Sequence, residues 1–141
     1  MDDSPRSRTD DGNELTAAQL DFLASVFDLV REGETAKVVT VLDRGLPVNL
    51  TNSKGDTLLI LAAYHEDADL VRALLERGAD TARVDDRGQT AHAAGVFRND
   101  PEAVTDLLAS GADPELGDPN ALAVAQFFEL PEMATLLITP R

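Results

Sequence analysis

The sequence predicts an all-α repeat solenoid, and three observations lead there. Residue types recur at a spacing of 33: Gly45, Gly78 and Gly111; Gly55 and Gly88; Thr57 and Thr90; Asp80 and Asp113; and the pairs Val41-Leu42, Leu74-Leu75 and Leu107-Leu108. Self-similarity at a period of this length marks an array of supersecondary units. Within a unit, two apolar helical stretches follow one another, and Gly78 supplies the left-handed residue that ends the second, the run Leu70, Val71, Leu74, Leu75. Neither helix could bury its stripe alone, whereas stacking like units side by side buries all of them in one continuous core.

The elements follow in order. Residues 1–14 form an acidic stretch without an apolar run and read as a disordered tail ahead of a repeat domain over 15–141. In "LTAAQL", Thr16 with Gln19 three residues on makes a capping box, and Leu15 faces Leu20 across it. The helix that starts there runs to about Arg31 with Leu20, Leu23, Phe27 and Val30 on one face, and caps the N-terminal side of the stack. In the next unit Thr57 caps a short helix whose Ala62 and Ala63 let a neighbour approach closely. From Asp80 the chain makes an extended excursion that turns at "DDRG", Asp85 to Gly88, before the next helix. Asn99 stands where a left-handed residue is needed, a conformation Asn tolerates. At the end, Asp100–Val104 aligns with Leu130–Ala134 at an offset of 30, so the last excursion is shortened by about three residues. Leu122, Ala125, Met133, Leu137 and Ile138 then take core positions. The units span approximately 16–49, 50–82, 83–115 and 116–141.

These units resemble ankyrin repeats. The family pattern D-x-x-G-x-T-P-L-H-x-A-A-x-x-G, a V-V-x-x-L-L helix and G-A-D is met by Gly55, Thr57, Leu59, Ala62, Ala63, Val71, Leu74, Leu75, Gly78, Ala79 and Asp80. Asp85, Gly88, Thr90, Ala94, Val104, Leu107, Leu108, Gly111, Ala112 and Asp113 meet it again, and the match covers roughly residues 20 to 138. It departs where Leu58 and Ala91 replace the family's Pro, His92 its core Leu and Glu66 its helix-ending Gly. The resemblance implies about four stacked helix-turn-helix repeats with short β-hairpin fingers and a curved shape. It also implies no catalysis, no cofactor and a protein partner, with a monomer expected of four repeats.

Composition narrows the function classes. A net charge of −14 opposes binding to phosphate backbones, so nucleic acid is excluded as a partner. The tail carries a net of −3, leaving about −11 on the repeat domain. That acidity serves solubility or a salty cytoplasm in one reading and a basic protein partner in another. No window reaches the roughly 18 to 20 apolar residues of a membrane span, and the N-terminus lacks the apolar core of a secretory signal. The expectation is cytoplasmic, without membrane partners. Zero cysteines remove disulfides, thiolate metal sites and thiol nucleophiles. Ten arginines against two lysines, with abundant Ala and Asp, fit a high-GC bacterial genome.

No catalytic or metal constellation emerges. His65 and His92 are 27 residues apart with no third ligand at metal spacing, and His92 reads as a structural core histidine. Asp85 and Asp86 read as a solvated finger tip, not a catalytic pair. No nucleophile elbow or phosphate loop is present.

The resemblance instead implies a concave binding face built from finger tips and from two columns just before the Gly that ends each inner helix. The first column is Arg31, Tyr64, Phe97 and Phe127; the second is Glu32, His65, Arg98 and Phe128. Three of the chain's six aromatics fall at successive positions of the first column, so an aromatic ladder is expected there. The finger positions Ser53, Lys54, Asp56, Asp86, Arg87 and Gln89 would form a mixed-charge rim. Lys54, Arg87 and Arg98 on this side put the acidic excess on the convex back.

Overall fold

Six of the eight helices among the described residues begin where a side chain takes up a backbone N–H left without an intrahelical partner. The computed structural model describes residues 16–139; the expected disordered tail over 1–14 and Leu15 of the predicted contact lie outside the described residues. Thr16 and Gln19 form the expected capping box at the start of α1 (Ala17–Arg31). The shorter helices α3 (Leu58–Tyr64), α5 (Ala91–Phe97) and α7 (Ala121–Phe127) open on Thr57, Thr90 and Asn120, which accept from the N–H groups of Ile60, Ala93 and Ala123. Asp67 and Asp100 do the same for α4 (Ala68–Glu76) and α6 (Pro101–Ala109). Helices α2 (Thr35–Asp43) and α8 (Pro131–Ile138) start without a side-chain cap.

The eight helices among the described residues form four antiparallel pairs. Helices α1, α3, α5 and α7 stack as an inner layer, and α2, α4, α6 and α8 as an outer one. After each inner helix the chain reverses through a left-handed residue: Gly33 (φ 75°), Glu66 (60°), Asn99 (55°) and Glu129 (54°). The steps of 33, 33 and 30 residues locate the shortening in the last excursion. Three non-glycine residues hold this conformation at a cost of roughly 1–2 kcal/mol each, so the stacked helices on both sides enforce it.

Buried apolar residues line the whole stack in two adjoining clusters, one spanning α1 to α6 and the other α5 to α8. Leu58 to Ala63 are all buried, and the alanines of α5 let α3 and α7 close on it from both sides. Leu70, Val71, Leu74, Val104 and Leu107 seal the inner layer from outside, each contributing roughly 1.5–3 kcal/mol by burial. His92 is 1% exposed, a core residue as expected. Ile138, expected in the core, is 66% exposed: α8 packs inward through Met133 and Leu137, and the next residue turns about 100° away. Among the described residues no helix is long and apolar enough to cross a membrane.

The fingers differ from the expected hairpins. Among the described residues no β-strand forms; single bridges join Thr51 to Thr57 and Gly117 to Asn120. A backbone bond closes each of the first two turns, Asn52 N–H to Asp56 O and Asp85 N–H to Gln89 O at 3.0 Å each, and side chains hold them from inside. Asn52 Oδ1 accepts from the Lys54 and Asp56 N–H groups at 3.0 Å each, and Asp85 Oδ1 from those of Arg87 and Gln89 at 2.9 and 2.8 Å. Backbone bonds then tie finger to finger: Asp86 N–H donates to Lys54 O and Asp118 N–H to Gly88 O, both at 2.9 Å. On the outer layer, Arg77 grips Asp43 at 2.8 and 3.2 Å and Arg72 reaches Asp106 at 3.2 Å, linking neighbouring pairs.

Candidate partner-binding surface

The inner helices stack in register, so residues at the same place on successive helices line up along one face. Arg31, Tyr64, Phe97 and Phe127 are the last residues of α1, α3, α5 and α7, and Glu32, His65, Arg98 and Phe128 follow as their caps. The two columns expected from the sequence are therefore present as columns.

The aromatic members touch one another. Tyr64 and Phe97 lie parallel, 6.4 Å between centroids and 4° between planes. Phe97 meets Phe128 edge to face at 5.5 Å, and Phe128 meets Phe127 at 4.9 Å. His65 stands edge-on to Tyr64 at 5.5 Å. The ladder thus crosses from the first column to the second at its far end, with Phe127 outermost. Phe97 is 45% exposed, Phe128 49% and Phe127 79%, a contiguous apolar surface of the kind that marks interaction sites on soluble proteins. Beside it, a groove of about 510 Å³ is lined by Phe97, Phe127, Phe128, Ala93 and Val124, with Arg87 and Gln89 also in its wall.

The arginines of this face are matched by its own carboxylates. Arg31 pairs with Asp28. Arg98 lies 3.4 Å from Glu66 and over the Tyr64 ring at 5.7 Å, and Arg87 lies 3.6 Å from Asp85. Arg31 and Glu32 are exposed at the N-terminal end, apart from the ladder's ring contacts. Among the finger residues, Ser53, Asp86 and Arg87 are exposed and Lys54 and Gln89 half-buried.

Two carboxylates depart from expectation. Asp56, placed on the rim by the sequence, is 0% exposed, and Asp85, read as part of a solvated tip, is also buried; only Asp86 of that pair faces water. The cause is the close stacking of fingers, which turns Asp56 inward toward the next turn. Its Oδ2 accepts from Asn52 Nδ2 at 3.4 Å. Asp56 Oδ1 and Asp85 Oδ2 are buried without hydrogen-bond partners, and Arg87 Nη2 is 4.0 and 3.6 Å from them. Burial raises the Asp56 pKa to about 7, with the adjoining Asp85 adding to the effect and Asn52 and Arg87 opposing it. A proton on Asp56 supplies the donor that this pair of oxygens lacks. The one signal in the sequence was that Asn52 and Asp85 are equivalent by the 33-residue period, so both could hold their turns from inside.

Among the described residues no group of three or more His, Cys, Asp and Glu side chains could hold a metal ion. A family model for ankyrin repeats (3 copies) matches residues 17–118, which run from α1 through the finger after α6. An ankyrin repeat protein of Pseudomonas aeruginosa is 46% identical over 72 residues, 51% of this chain, and the chain covers 39% of that relative's length. Helices α7 and α8, with Phe127 and Phe128, lie beyond the matched residues.

Proposed function

The chain belongs to the ankyrin repeat family, whose repeats are protein–protein interaction modules, and on that premise we propose that it is a non-catalytic, monomeric, cytoplasmic module that grips a partner protein in its concave groove. The observation that carries this reading is the ring ladder of half-buried Tyr64 and exposed Phe97, Phe128 and Phe127 beside an apolar groove. Rigid aromatics on a preorganised surface lose little conformational entropy on binding and supply most of the energy at interface hot spots. Ser53, Lys54, Asp86, Arg87 and Gln89 would flank the partner and set specificity. Pull-down from native cytosol, with wild type beside a Tyr64, Phe97 and Phe127 triple alanine variant, tests it. Proteins retained by the wild type are expected to be lost from the variant, and equal recovery by both baits removes the ladder from the account.

A second reading is favoured by the net charge of −14: an inhibitor or immunity-type protein that neutralises a basic enzyme or toxin. Salt separates the two. A complex that weakens steeply as ionic strength rises supports charge neutralisation, whereas a salt-tolerant complex broken by Phe97→Ala supports the groove.

A further inference from the structure

The left-handed residue after each inner helix stands two positions beyond the residue that ends the helix. In the second helix pair this residue is Glu66 (φ 60°), two places after Tyr64. Into that corner the next repeat sends Arg98, its guanidinium 5.7 Å from the ring centroid and 3.4 Å from the Glu66 carboxylate. A ring face and a carboxylate thus hold one cation together.

The same corner recurs at the last helix pair. Phe127 ends α7, Phe128 caps it and Glu129 follows at φ 54°, the same order and backbone as Tyr64, His65 and Glu66. The other two pairs do not repeat it: Arg31 is followed by Gly33, and Phe97 by Asn99. Over Phe97 the residue equivalent to Arg98 is Phe128, which meets it edge to face. Among the described residues no cation stands over Phe127. Phe127 is 79% exposed and Glu129 is exposed too.

We propose that Phe127 and Glu129 form a receptor corner for an arginine side chain of a partner protein, repeating between molecules the arrangement that Tyr64 and Glu66 make with Arg98. Arginine fits better than lysine, because a planar guanidinium stacks on a ring while forking toward a carboxylate. The excess negative charge of the chain favours such an approach. The inference rests on the concave face being the partner surface and adds a chemical requirement to it: an arginine at the outer end of the bound segment.

The probe is the peptide Ac-Ala-Arg-Ala-NH2, titrated at millimolar concentration into isotope-labelled protein and followed by side-chain NMR, with the Lys and Gln peptides as comparisons. The Arg peptide is expected to move the Phe127 ring and Glu129 signals, the Lys peptide less and the Gln peptide not at all. An exposed ring–cation contact and an exposed ion pair are each worth a factor of about 2 to 5 in affinity, so Glu129→Gln and Phe127→Ala should each weaken the response by that much. Both side chains are exposed, and circular dichroism verifies that the variants stay folded. Arg98→Ala supplies the positive control: it vacates the corner at Tyr64 and Glu66, and the Arg peptide should then move those signals as well. Equal responses to the Arg and Gln peptides, or a response unchanged by Glu129→Gln, overturn the proposal. The groove reading fails separately, if the ladder variant captures every protein the wild type captures, whatever the peptides do.

Discussion

Replacing Gly88 by alanine adds one methyl group at the junction between fingers. Gly88 sits at φ +84°, where an L side chain costs roughly 1–2 kcal/mol. A Cβ there would also lie 2.6 Å from the carbonyl oxygen of Asp118 in the next finger, with that residue's C and N at 3.5 and 3.6 Å. The obstacle is backbone, so one finger must shift away from the other. That movement strains the 2.9 Å bond from Asp118 N–H to Gly88 O, worth about 1 kcal/mol. Gly78 is the internal control: its φ is +85°, and nothing lies within 4 Å of an added Cβ. Gly78→Ala should therefore cost only the conformational part, and Gly88→Ala should exceed it by about 1–2 kcal/mol. Urea denaturation with matched m-values measures the difference. Equal losses for the two variants would refute direct packing of the second finger on the third.

The buried carboxyl pair gives a pH prediction. Asp56 has a pKa raised from 3.8 to about 7, so between those values the folded state binds more protons than the unfolded one and stability falls as pH rises, levelling off above about 7. Three units set an upper limit of roughly 4 kcal/mol. In Asp56→Asn, with the carboxyl gone, the stability difference from wild type should shift in the variant's favour between pH 5 and pH 8 in urea melts; a difference independent of pH counts against the pair. Leu74→Ala, at a fully buried site, should cost about 2–5 kcal/mol, and Thr90→Ala, which removes the cap on Ala93 N–H, about 1 kcal/mol by the same assay. Phe127→Ala, at 79% exposure, should change stability by less than about 0.5 kcal/mol, leaving any binding loss attributable to the surface.

Local chemistry was the legible part of the sequence. A side chain three residues ahead of an N–H identifies a cap, so Thr16 and Thr57, which open α1 and α3, could be read directly. The resemblance to ankyrin repeats implied the columns, and the 30-residue offset gave the place of Phe127 at a helix end. Contacts across stacked units were harder. Asp56 and Asp85 are 29 residues apart, and only finger stacking brings them together and shuts out water. The first two fingers are short turns without strands among the described residues, each closed by a backbone bond and held from inside by Asn52 or Asp85, a detail the family pattern does not specify. The ladder's crossing to Phe128 depends on how rings settle against one another, which no spacing rule fixes.

Site-specific photo-crosslinking tests partner binding in the groove most directly. A benzophenone amino acid is placed at Phe97 at the end of inner helix α5 in one protein and at exposed Ala109 on outer helix α6 in another, and both are irradiated in native cytosol. A discrete adduct with the same protein from position 97, absent from position 109 and suppressed by excess unlabelled wild type, is the predicted result. Adducts from position 109 alone, or the same adducts from both, would contradict it.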